Sequence, residues 1–151
     1  MKIFETIAVI YIIYALAVLL HELAHFICAK FIHIKIYGVR IGDRFLAMKI
    51  KKFSISPLIT GGEIEFDQTD LLHQSKMRIV LMFLSGSIAN LFFMIIGFCL
   101  LSVFNYAVYV IVINAFSIVF NLFPIKFLGN DFAKMYDSLK DKKVSIGMNR
   151  R

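Results

Sequence analysis

The sequence predicts a membrane protein with an all-α core, in which three transmembrane helices carry a short β-hairpin-containing loop between the first and the second. Three observations predict it. Of the 151 residues, 60% are hydrophobic, and the mean hydropathy is +0.79, whereas a soluble domain is nearer half apolar. The apolar residues collect in three runs, about 3–31, 77–103 and 107–123, and about 20 such residues cross a bilayer. The net charge of +7 falls mostly between the first and second runs and after the third, as in loops kept on the cytoplasmic side. That placement argues against a nucleic-acid footprint, so the bilayer is the expected partner and nucleic acid is not. A single integral-membrane unit over 1–151 is expected, with the N-terminus outside and the tail, 125–151, cytoplasmic.

The first run ends near Lys30 and contains His21-Glu22-Leu23-Ala24-His25. It is too long for the apolar part of a signal peptide, and no small-residue cleavage site precedes His21, so it is read as a retained span. At about 1.5 Å per residue, His21 lies roughly 12 Å inside the basic end. A carboxylate at such depth costs about 2.5–3.5 kcal/mol on insertion scales, so Glu22 calls for a partner. The stretch 35–66 alternates with period two and contains Pro57 and Gly61-Gly62, which reads as short strands or hairpins. Asp67 to Gln74 is a polar lead-in to the second helix. That helix carries Ser85-Gly86-Ser87-Ile88-Ala89-Asn90. Small residues there let helices approach closely, and Asn90 in mid-membrane needs a hydrogen-bond partner. The third run contains Asn114 and ends in Asn121-Leu122-Phe123-Pro124, where the proline stops or kinks the helix. A short helix follows Asn130-Asp131, to about Lys140. Cys28 and Cys99 have no ligand or disulfide spacing and read as small buried hydrophobes.

The chemistry concentrates in the first span. Histidines four apart share one helix face, and His-Glu-x-x-His on a helix is the arrangement in which two imidazoles bind zinc and the Glu handles protons. A catalytic zinc site takes three protein ligands and keeps a position open. His21 and His25 supply two. Asp131 is the best acidic candidate for the third, ahead of Asp137, since it follows the Pro124 break with slack to fold back. Asn130 or Asp131 would also serve as a helix N-cap. Glu22 suits the general base that deprotonates zinc-bound water. His33 and His73 lie outside the spans and carry no expected role.

These residues together resemble the site-2 protease family of intramembrane zinc metalloproteases. The resemblance rests on His21-Glu22-Leu23-Ala24-His25 in the first span and Gly86-Ser87-Ile88-Ala89-Asn90 in the second. Asn121-Leu122-Phe123-Pro124 before Asp131, and Ser56-Pro57 through Gly61-Gly62 in the intervening loop, complete it. It implies a three-helix core with Zn2+ near the cytoplasmic side, His21, His25 and Asp131 as ligands and Glu22 as base. It also implies site-supporting or substrate-binding roles for Asn90, Asn121, Gly61 and Gly62. Two positions depart from the family pattern: Phe132 follows Asp131 where a Gly is common, and Ser87 follows Gly86 where Pro is common. The chain is similar to short bacterial members, and no sensor domain is expected. The expected activity is endopeptidase cleavage of a transmembrane helix or short hydrophobic membrane peptide in a bacterial cell membrane. The alternative is a non-catalytic membrane peptide-binding or immunity protein that retains a metal site. A metal transporter would want polar residues through several spans, and the second and third offer only Asn, Ser and Tyr.

Overall fold

A computed structural model describes residues 2–43, 46–123 and 130–148, with side chains to residue 142. The first helix, α1 (Lys2–Phe31), is apolar on nearly all sides. It stops in a left-handed cap: His33 has φ 62°, the Ile34 N–H reaches the Ala29 carbonyl at 2.9 Å, and the His33 N–H reaches that of Lys30 at 3.1 Å. The chain is thereby turned into a sheet formed by β1 (Ile36–Ile41), β2 (Met48–Ile50), β3 (Phe53–Ile55) and β4 (Gly62–Phe66). Three helices and a short one follow: α2 (Gln68–His73), α3 (Lys76–Cys99), α4 (Ala107–Leu122) and α5 (Asp131–Met148).

The loop between the first two long helices is more than a hairpin. Its strands run in the order β2-β3-β1-β4. Strands β2 and β3 form the hairpin, turning at Lys51 with φ 56°. Strand β3 then pairs in parallel with β1, Ile41 opposite Ile55, while β4 pairs antiparallel with β1, Ile41 opposite Gly62. A parallel pairing of two short, distant segments leaves no local turn signal, which is why period-two alternation alone does not reveal it. One face of the sheet, with Ile36, Val39, Ile41 and Ile64, joins Ala29, Ile79, Met82 and Phe83 in a core beneath the helices. The same face continues past the helices at β2 and β3, where Met48, Ile50, Phe53 and Ile55, in register with Val39 and Ile41, are exposed.

Between β3 and β4 the chain climbs beside α1. The Tyr11 hydroxyl donates to the Pro57 carbonyl at 2.5 Å and accepts the Ile59 N–H at 2.9 Å. The Tyr14 hydroxyl donates to the Thr60 carbonyl at 3.1 Å. Tyr14 and Tyr11 lie 7 and 10 residues before His21, so the loop reaches roughly 10–15 Å further along the helix than the histidine. Gly42, at φ +90°, lets the Leu58 carbonyl approach to where a Cβ would be only 2.6 Å away.

Two helices, α1 and α3, are long and apolar enough to cross a membrane, with mean hydropathies of 2.4 and 2.3 over their best windows. The third expected span, about 107–123, agrees with α4 to a residue but is short for a crossing. Helix α4 has 16 residues, about 24 Å at the α-helical rise, against a hydrocarbon core of about 30 Å. Pro124, expected to stop it, lies outside the described residues. The helix ends at Leu122, with Phe123 extended. Helices α3 and α4 approach closely at Gly97, where a Cβ would meet Ile111 at 2.9 Å and Val110 at 3.1 Å. The last helix is latched from below: the Lys142 ammonium donates to the carbonyls of Leu72 and Gln74, the open C-terminal carbonyls of α2.

Candidate metal centre

The helical repeat places His21 and His25 one turn apart on the face of α1 turned towards α3 and α5. Both are buried. Their Nε2 atoms stand 3.1 Å apart, and one carboxylate oxygen of Asp131, Oδ2, lies 2.9 Å from the first and 3.1 Å from the second. Among the described residues these three form a cluster able to hold a metal ion. Donors bonded at about 2.0–2.2 Å around a tetrahedral ion stand a little over 3 Å apart, so the spacing suits zinc, as does the two-imidazole, one-carboxylate set. Gly86 keeps the space over them open, since a Cβ there would stand 2.5 Å from His21 Nε2 and from His25 Nε2. Burial alone would raise the Asp131 carboxyl, but the hydrogen bonds from His21 and His25, with their charges, hold it well below the usual carboxylate range. The carboxylate is therefore the anionic form a cation needs.

The two imidazoles are held differently on their far sides. His25 Nδ1 donates to the Met82 carbonyl at 2.7 Å, with the Ser85 hydroxyl 3.0 Å away. His21 Nδ1 faces the side-chain amide of Asn90 at 3.1 Å. Asp131 is set by its neighbour. Asn130 caps α5: its Oδ1 accepts the Ala133 N–H at 3.1 Å, while its Nδ2 donates to the Phe120 carbonyl at 2.8 Å and to that of Phe123. The cap and the carboxylate, interchangeable on sequence grounds, are thus divided, with Asn130 tying α5 to the end of α4 and Asp131 facing the histidines.

Glu22 is buried and packs on Gly62, where any Cβ would strike its carboxylate. It opens onto a cavity of about 430 Å³ that His21, Gly61, Asn90, Asn121 and Asp131 also line. Asn121 faces the cavity, though its amide bonds its own helix at the Ser117 carbonyl, 3.1 Å. Gly61 has open space around its α-carbon and offers its carbonyl to Gly42. Asp137 is elsewhere, in a groove between β4, α2 and α5. Four contributors were not singled out from sequence. Gly86 read as helix packing, Ser85 and the Met82 carbonyl carried no signal, and Lys134, which lines both the cavity and the narrow cleft on the other side of Glu22, looked like one more basic residue of the tail.

Comparison with known proteins gives the family. The model of "Peptidase family M50" matches residues 8–106, a span that includes both histidines, Glu22, Gly86 and Asn90 and stops before Asp131. A protein of Borreliella burgdorferi described as a "putative zinc metalloprotease" is 28% identical over 142 residues, covering 76% of this chain. The chain spans 32% of that relative's length. With the family model matching well over half its residues, the chain belongs to Peptidase family M50, the site-2 protease family.

Proposed function

We propose that the protein is an integral-membrane zinc endopeptidase that hydrolyses a peptide bond in a transmembrane helix or a short hydrophobic membrane peptide. The observation that carries this reading is the meeting of His21 Nε2, His25 Nε2 and Asp131 Oδ2 within about 3 Å of one another, beside a buried Glu22. Zinc held there supplies a Lewis acid that polarises the scissile carbonyl and brings the pKa of a bound water to about 7. Glu22, in the same cavity, takes the proton of the attacking water and passes it to the departing amine nitrogen. Gly62 gives the Glu22 carboxylate the room to do so. A helical substrate has its carbonyls bonded internally, so it must be unwound before it is cut. The outer edge of β4, with Gly62 at its start beside Glu22, suits pairing with an extended substrate segment.

In this reading α4 crosses the bilayer as a third span, aided by the apolar residues Leu100, Leu101, Val103 and Phe104 that precede it. The N-terminus is outside and α5 is cytoplasmic, as the basic loop and tail require. The test is direct. Protein reconstituted in liposomes with a model transmembrane peptide is expected to cleave it. Glu22→Gln is expected to keep its zinc and lose activity by about 10²–10⁴-fold, the usual worth of a positioned base. Cleavage at the wild-type rate by Glu22→Gln would end the mechanism.

A further inference from the structure

The two histidines stand on unequal footing, and the inequality has a chemical consequence. A neutral imidazole carries one proton, on Nδ1 or on Nε2, and only the bare nitrogen binds a metal. His25 has no choice. Its Nδ1 faces a backbone carbonyl, that of Met82, at 2.7 Å, which accepts and cannot donate, so a proton stays on Nδ1 and Nε2 is the nitrogen left for a metal. His21 faces a side chain that can do either. As placed, the Asn90 Nδ2 donates to His21 Nδ1 at 3.1 Å, so the proton sits on Nε2, the nitrogen 2.9 Å from Asp131 Oδ2. In that arrangement His21 donates a hydrogen bond to the carboxylate and cannot ligate. Meanwhile the Asn90 oxygen, on a residue only 1% exposed, has no hydrogen-bond partner. A buried acceptor left bare is costly, and a half-turn of the amide would bring that oxygen to His21 Nδ1.

We propose that Asn90 is a positioning residue that decides which nitrogen of His21 carries the proton, its amide turning over on metal uptake so that Oδ1 accepts the Nδ1–H and Nε2 is freed. The exchange balances: one proton leaves Nε2 and one arrives at Nδ1, with solvent as the carrier. The inference rests on the metal-site reading above but not on any cleavage. Ligating histidines ordinarily give their second N–H to such an acceptor, and loss of that acceptor costs about 10–100-fold in metal affinity. What is particular here is that the acceptor is an amide able to hold the site in a metal-refusing or a metal-accepting form.

The experiment uses full-length protein in micelles, labelled with 15N at histidine, metal-free and then titrated with zinc. His21 is expected to read as the Nε2–H form without zinc and the Nδ1–H form with it, while His25 reads as Nδ1–H in both. Asn90→Asp, which offers acceptors only, is expected to show His21 as Nδ1–H before zinc is added and to bind zinc at least as tightly as wild type. Asn90→Leu is expected to bind 10–100-fold more weakly, with its helical circular dichroism unchanged. Should Asn90→Leu fail to fold, the wild-type and Asn90→Asp spectra decide alone. A metal-free wild type already in the Nδ1–H form at His21, or an Asn90→Asp that loses zinc as Asn90→Leu does, would overturn the proposal. Since no substrate is involved, a protein that behaves as expected here yet cleaves nothing would refute the peptidase reading and leave this one intact.

Discussion

A methyl group at position 86 would occupy the space that the two imidazoles need. The sequence suggests a glycine of the kind that lets membrane helices touch, and at Gly97 that reading describes α3 against α4. At Gly86 the neighbour across the gap is a pair of nitrogens. Gly86→Ala is therefore expected to weaken zinc binding by about tenfold or more, as losses beside metal ligands do, with little effect on helix content; competition with a chelating dye measures it. Asn130 carries the other half of the site. Asn130→Ala removes an N-cap worth about 1 kcal/mol and strands carbonyls of Phe120 and Phe123. A lower Tm and weaker zinc binding are expected together, because the same cap starts the helix that presents Asp131; Asn130→Asp should recover part of the Tm. The pair Asn130-Asp131 was legible as one cap and one acid. Which was which depended on whether a carbonyl or an imidazole lay opposite, and both come from distant segments.

Among the elements, the excursion 56–61 depends most on others. Its backbone groups run beside an apolar helix, where an unpaired N–H or C=O in hydrocarbon costs several kcal/mol. The hydroxyls of Tyr11 and Tyr14 satisfy three of them. Tyr11→Phe removes two of these bonds at once and keeps the ring. Faster amide exchange at Ile59 is expected, together with a loss of cleavage larger than any loss of zinc, because the loop lines the cavity at Gly61 and Gly62 without touching the ligands. Unchanged exchange at Ile59 would mean that the loop is held by something else. Neither tyrosine announces this role, since an aromatic in an apolar run looks like any other lipid-facing ring.

At the scale of the whole molecule, large apolar side chains stay exposed along the three apolar helices: Ile3, Phe4, Ile7 and Ile12 on α1, Leu91, Phe92, Ile95 and Phe98 on α3, Val108, Val112, Phe116 and Val119 on α4. Side chains on this scale facing outward fit a hydrocarbon surround, and a contiguous patch of them would otherwise mark an interface. If α1, α3 and α4 all cross, the turn at Asn105 is outside and the helix of Lys140 is inside. An Asn105→Cys variant on a Cys-free background should then react with an impermeant maleimide on intact cells, and Lys140→Cys only after lysis. The reverse pattern would invert the topology.

By itself the sequence determined the long apolar helices, the shared face of His21 and His25, and the carboxylate of Glu22 beside them, because helical period and hydropathy are local and survive without knowledge of the partner segments. Only the tertiary structure decided that Asp131 and not Asp137 meets the imidazoles. The same holds for Gly86 making room for them, for β1 and β3 running parallel, and for the far side of His21 being held by an amide that has two ways to face it. Each of those is a meeting of segments tens of residues apart. Such meetings are set by how the helices and sheet pack around a common core, which no local pattern encodes.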